Sequence, residues 1–247
     1  MNNQLEIKIR VYKAIDNIAA CKRFAEGHAN VLLSYGIKQV TSSNTTWFSD
    51  PYVYVVMVES ICGKNTFGGA RLHLKNKEHK LPIETALEQL DSNISKLINP
   101  QLSLKTGELC GLWNTKGMSG SGLSAMLIRT GVAKAGIFIS EKYNLQSIYT
   151  LSAPWTKHMV ENIGFEVETS IGKNGTFAYP KPDLIATLLK LKDVNSLEKA
   201  LPLEKDKILS LRVNPIQKCT EVSPIGKIEV EYDLIMNGSN IENELFN

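Results

Sequence analysis

The chain has 247 residues, 43% apolar and 21% charged, with a formal net charge of +3. That is room for one large domain or two small ones, and for a sizeable core without staples. The charges are mixed, with no Lys/Arg run dense enough for a nucleic-acid footprint, and no apolar run approaches the roughly 18 residues that span a bilayer.

Residues 5–12 alternate, with Leu5, Ile7, Ile9 and Val11 against Glu6, Lys8 and Arg10. That period predicts a half-buried strand. The polar start of the chain lacks the apolar core of a signal peptide. Residues 14–35 carry apolar groups at helical spacing and predict one long helix or a broken pair, stopped at Gly36. Residues 41–50 are polar, with Trp47 and Phe48 embedded in them as a lid or as small core anchors. Residues 52–60 and 66–75 are β-branched runs around a Gly63 turn and predict a hairpin.

Residues 82–98 open on Pro82 and place Ile83, Ala86, Leu87, Leu90, Ile94 and Leu97 on one helical face, ended by Asn99-Pro100. Residues 107–113 predict a strand, 114–122 a loop rich in glycine and serine, and 123–142 a long helix. A strand over 146–151 and a short helix over 154–163 follow, closed by Gly164. Segments 165–170 and 174–179 are expected to form a hairpin, and 182–192 a further helix. Residues 226–236 alternate as an edge strand would, and the last ten or so residues are polar and expected to fray. The order implies a mixed α/β (α+β) chain around one mostly antiparallel sheet. Residues 1–192 form its main domain, and 193–247 an extension packing on the same domain.

The four cysteines, Cys21, Cys62, Cys110 and Cys219, are scattered without metal-ligand spacing, so reduced thiols and no metal are expected. The chemistry points to residues 106–165. There a strand runs through Gly117-Met118-Ser119-Gly120-Ser121-Gly122 straight into a helix. Glycines let backbone N–H groups converge on an anion, and the helix N-terminus adds unpaired N–H groups. A plain turn is the other reading of such a loop. No Gly-Lys-Ser/Thr stands at the helix start, which removes the P-loop reading, and the Rossmann acidic residue is missing.

The run Glu108-Leu109-Cys110-Gly111-Leu112-Trp113, the loop Gly120-Ser121-Gly122, the strand Gln146–Leu151 and the helix closing in Gly164-Phe165 resemble the GCN5-related N-acetyltransferase (GNAT) superfamily. The likeness covers about residues 50–170. Glu108-Leu109-Cys110, with Ser152-Ala153-Pro154-Trp155, looks most like its arginine N-succinyltransferase branch. The inserted helix at 82–98 is similar to that branch and to the acyl-homoserine-lactone synthases. The family's Arg or Gln at the loop head falls on Gly117 or Ser119, with Lys116 the nearest cation. Its tyrosine acid falls on Val160.

The resemblance implies a GNAT-like fold and an acyl-CoA-dependent N-acyltransferase that uses acetyl-CoA or another acyl-CoA. Its acceptor would be a small-molecule amine or an amino acid, with no nucleic acid or membrane as partner, a cytoplasmic location, and a homodimer left open. The acyl group is expected to be acetyl or short. The alternatives are long-chain transfer of the acyl-homoserine-lactone or N-acyl-amino-acid type, and a domain of this fold that binds without chemistry. The strand at 107–113 would splay from that at 146–151 and admit pantetheine. The coenzyme would be held by Leu112, Trp113, Asn114, Lys116, Gly117, Met118, Ser119, Gly120, Ser121, Gly122, Leu123 and Ser124.

In a regular strand Glu108 shares a face with Cys110 and Leu112. A carboxylate among apolar neighbours is a stronger base, so Glu108 is the candidate general base, against a plain Glu paired with lysine at the strand's end. His158 is a candidate acid or base, against a surface histidine. Tyr149 and Tyr143 are further proton carriers. Arg71, His73 and Trp47 are candidates for the acceptor pocket, Arg71 or His73 meeting a carboxylate. A covalent role for Cys110 lacks a partnering histidine.

Overall fold

The computed structural model describes residues 5–37, 44–99 and 102–235. The chain begins with strand β1 (Leu5–Lys13), where the expected alternation buries Ile7, Ile9 and Val11. Helix α1 (Ile18–Ser34) follows a short 3-10 turn, and the Asn17 side chain caps it by accepting from the Ala20 N–H at 3.0 Å. Strands β2 (Val53–Ser60) and β3 (Thr66–Leu74) form the expected hairpin.

The single helix expected over 82–98 is instead two short ones, α2 (Pro82–Leu87) and α3 (Ile94–Leu97). Asp91 breaks it. Its carboxylate accepts from the backbone N–H of Asn93 at 3.0 Å, a local bond that competes with the helix ladder, and from that of distant Gly172 at 2.8 Å. The apolar positions still turn inward at Ile83, Leu87 and Ile94, while Leu90 is exposed.

Strand β4 (Thr106–Asn114) leads through the glycine-serine loop to α4 (Leu123–Lys134), which runs on through a π turn to α5 (Ser140–Tyr143). Then come β5 (Ser147–Ser152) and α6 (Pro154–Asn162). Short β6 (Glu166–Val167) and β7 (Thr176–Ala178) do not pair with each other as the expected hairpin would. Each lies antiparallel to β8 (Ile185–Leu191). Strand β8 replaces the helix expected over 182–192. Leu188 packs into the cluster under α2, while Leu189 and Leu191 pack into the α4 core. A strand buried on both faces reads as an unbroken apolar run, which periodicity cannot separate from a buried helix.

Helix α7 (Pro202–Val213), strand β9 (Ile216–Ser223) and strand β10 (Gly226–Asp233) complete the described chain. The sheet order is β6-β8-β5-β4-β3-β2-β1-β10-β9, with β7 also on β8, and only β1–β10 and β4–β5 are parallel. Residues 226–233 are therefore interior rather than the expected edge, because β10 buries Ile228, Val230 and Tyr232 between β1 and β9. The fraying expected of the last residues lies outside the described residues.

Helices α4, α6 and α7 cover one face over the main core, and α1, α2 and α3 cover the other. A buried ionic cluster ties the last elements to α4. Arg129 donates to both Glu204 oxygens at 2.9 and 3.1 Å and to Glu221 at 2.8 Å, and Tyr232 Oη donates to Glu221 at 3.0 Å. Among the described residues no helix is long and apolar enough to cross a membrane, and no group of His, Cys, Asp and Glu side chains suits a metal. All four cysteines are free thiols.

Candidate active site

The site begins at a fault in β4. Gly69 faces Trp113 and Arg71 faces Cys110 across the β3–β4 ladder, so Gly111 and Leu112 together oppose Ala70. Gly111 sits at φ +61°, the left-handed conformation that opens such a bulge. The extra residue reverses the alternation. Glu108, Cys110 and then Trp113 face α1 and α2, while Leu112 packs toward the α4 core. This corrects the expected face of Glu108, Cys110 and Leu112, which assumed a regular strand.

A Cβ at Gly111 would lie 3.2 Å from Arg71 Nε and 3.3 Å from Phe24 Cζ. Gly111→Ala should therefore cost about 1–2 kcal/mol from the backbone alone, read by urea unfolding. A variant as stable as the parent would mean that the bulge relaxes freely.

Beyond the bulge β4 and β5 part. They pair only at Thr106–Ser147, Gly107–Ile148 and Glu108–Tyr149, although both strands continue. The gap opens a cleft of about 1650 Å³ that passes through the sheet. Of the residues expected to hold a coenzyme, Leu112, Trp113, Asn114, Lys116, Ser119, Gly120 and Ser124 line it. Gly117, Met118, Ser121, Gly122 and Leu123 do not. Ser121 and Leu123 are buried and Met118 rests on the core.

The loop is open rather than packed, since a Cβ at Gly117 or Gly120 would meet no atom within 4 Å. Gly122 caps α4 at φ +84° with no side-chain cap, so the first N–H groups of α4 keep the orphan character of any helix start. Asn114 Nδ2 donates to Ser124 Oγ at 2.8 Å and ties the end of β4 to that helix start.

A row of buried polar groups crosses the sheet where the two strands part, and Glu108 and Cys110 of that row line the cleft. His73, Glu108 and Tyr149 are register partners across β3, β4 and β5, with Arg71 and Cys110 two pairs along on the same face. Glu108 is 2% exposed, and one of its oxygens accepts from the Ile83 N–H of α2 at 2.8 Å. Burial pushes its carboxyl up to about 8, against the opposing pull of the Ile83 N–H and the Arg71 guanidinium. Burial also pushes the Cys110 thiol up to about 12 despite Arg71, which makes it a poor nucleophile. Burial and then Arg71 hold His73 well below its ordinary value. The same two causes hold His28 of α1, a cleft residue with no sequence signal, at about 4. Both imidazoles are neutral at pH 7.

Arg71 stacks on Trp47 at 4.3 Å and on Phe24 at 5.2 Å. Together with His73, Arg71 and Trp47 line a second cavity of about 210 Å³, walled also by Asp50, Lys80 and Thr85. The three residues expected at an acceptor pocket are thus brought together. Pro82 borders both cavities. Tyr149 is fully buried beneath α2, its hydroxyl raised by burial, and it does not line the cleft. His158 is on the exposed side of α6, also outside the cleft lining.

At the cleft mouth Tyr35 and Trp155 stack with ring centroids 6.4 Å apart, each more than half exposed. Sequence reading missed this pair, along with Ile83, Thr150 and Tyr179, because only tertiary packing brings them to the cleft.

No family model and no curated protein matches the sequence. Solved structures do. FeeM, an N-acyl amino acid synthase from uncultured soil microbes, superposes with a TM-score of 0.56 at 14% identity, over 81% of this chain and 97% of its own. The CoA-dependent acyl-homoserine lactone synthase BjaI, solved with SAM and isopentyl-CoA, gives 0.51 at 12% identity over 82% and 89%. Escherichia coli ElaA gives 0.51 at 7% identity over 74% and 98%. At these identities the likeness is one of architecture. The chain has the fold of the GCN5-related N-acyltransferases.

Proposed function

We propose that the chain is an acyl-CoA-dependent N-acyltransferase that acylates the amine of a small molecule. One observation carries this reading: two parallel strands separate after three residue pairs, beside an open glycine loop at a helix start, with a buried carboxyl of raised pKa in the gap. Backbone N–H groups around Gly120 and at the start of α4, with Lys116, would hold the coenzyme diphosphate. The pantetheine arm would lie between β4 and β5, and a backbone N–H at the bulge, between Leu112 and Asn114, would polarise the thioester carbonyl.

The acceptor would enter through the smaller cavity, whose Arg71 and Lys80 suit a carboxylate on an amino acid. Its nitrogen attacks the thioester carbon and Glu108 takes the ammonium or amine proton. The C–N bond forms, the C–S bond breaks, and the coenzyme leaves as its thiol after protonation from solvent. The raised carboxyl suits this task, since a base that is half ionised at about pH 8 is free often enough near neutrality and still strong enough to accept the proton.

Calorimetric titration with free CoA tests the reading. Lys116→Ala should weaken the affinity roughly 10- to 100-fold, as expected for loss of one charge-assisted bond, without moving the melting temperature. Absence of any heat with CoA at millimolar concentration would end the proposal.

A further inference from the structure

Helix α1 brings one more polar side chain to the fault in β4. A Cβ at Gly27 would overlap the Trp113 ring, so glycine there lets α1 lie against the residue that follows the bulge. Phe24, one turn earlier, rests beside Gly111, and the ring of His28 packs 5.9 Å from the ring of Phe24. His28 is thereby held next to the bulge, on the side of the sheet that Glu108 faces, and both line the cleft.

The imidazole is 5% exposed, yet among the described residues its nitrogens have no hydrogen-bond partner. His73 Nε2 is also unpartnered, but it is sealed inside the protein, whereas the His28 nitrogens still reach the cleft. A polar group buried without a partner destabilises a fold, so one that opens onto a cleft points to a ligand that completes it.

Charge decides what this imidazole can offer. Glu108 titrates at about 8 and His28 at about 4, so the amine proton goes to the carboxylate and the imidazole stays neutral, with one N–H to donate. A fixed donor beside the point where negative charge develops is what a tetrahedral oxyanion requires. We propose that the His28 N–H donates to the thioester carbonyl oxygen and, as the amine adds, to the oxyanion it becomes, sharing that atom with the backbone N–H of the bulge. The proton stays on the imidazole throughout, while the oxyanion re-forms its C=O bond as the C–S bond breaks. The inference rests on the acyl-CoA reading of the same cleft.

Infrared difference spectra of acetyl-CoA, isotope-labelled at the thioester carbonyl, test this with no acceptor present. The bound C=O stretch should lie at higher frequency in His28→Phe than in the parent. It should return toward the parent value in His28→Gln, whose amide N–H can replace the donor. Affinity for free CoA, read by calorimetry, should be the same in all three. Should the phenylalanine prevent folding, the parent alone decides: the nitrogen resonance of the His28 ring N–H should move with acetyl-CoA and far less with S-ethyl-CoA, which lacks the carbonyl. An unchanged C=O stretch in His28→Phe, or equal nitrogen shifts with the two ligands, overturns the role of His28 and leaves the coenzyme site standing. Failure of free CoA to bind removes both.

Discussion

Glu108→Gln should lower turnover by about 10²–10⁴-fold, the usual worth of a positioned general base, with CoA affinity unchanged. The pH profile carries the more specific signature. Parent activity should climb as pH approaches about 8, where the buried carboxyl ionises, and level off above it. The variant should lose that limb.

Stability should move the other way. A carboxyl raised in the folded state holds its proton where the unfolded chain has released it, so it costs stability increasingly as pH rises from the ordinary carboxylate range to about 8. Glutamine keeps an acceptor for the Ile83 N–H and carries no charge to bury. The variant should therefore melt higher than the parent above that pH, read by calorimetry across pH 5 to 9. Unchanged turnover would remove Glu108 from the mechanism, and an unchanged melting difference with pH would mean that its carboxyl is not perturbed.

The second large effect concerns stability alone. Arg129→Met strands Glu221, which is 4% exposed, and frees Glu204. Losing one partner of a buried ion pair costs about 3–5 kcal/mol. Lys207 and Tyr232 still reach Glu221, so the lower end applies. At ~2–4 °C per kcal/mol for a chain of this size, the melting temperature should fall by 6–12 °C. Burial alone would raise Glu221, but Arg129 and Lys207 outweigh it and hold it below the ordinary range. Its contribution is therefore present above that range and lost as pH falls through the depressed folded value. The gap between parent and variant should narrow below roughly pH 4. Adding Glu221→Gln to the arginine variant should recover part of the loss. A single variant within 1 kcal/mol of the parent at pH 7 would show that the cluster is not coupled to folding.

Local patterns predicted β1, the β2–β3 hairpin, β4, α4 and the open loop before it, because each carries a period or a turn signal within ten or so residues. Glu108 stands out as a candidate in the same way, from its place in a strand that runs into that loop. The misreadings share a cause. Strand β8 is apolar on both faces because helices cover both. Asp91 splits the 82–98 helix through a bond to Gly172, a residue 81 positions away. The Gly111 bulge turns one side chain to the wrong face, and no period reveals an inserted residue. The far walls of the cleft come from α2 and from residues 179–186, whose only link to β4 is spatial.

The pairing of β1 with β10 sets a condition on biosynthesis. Leu5 meets Ile228 across that ladder, so the first strand waits for a partner some 223 residues downstream. At ribosomal speeds of about 5–20 residues per second, that delay is roughly 10–45 s. During it, the outer backbone row of β1 is open to any other strand. Lys8 and Arg10 stand on that strand and repel a second copy of it, guarding the nascent sheet until β10 arrives.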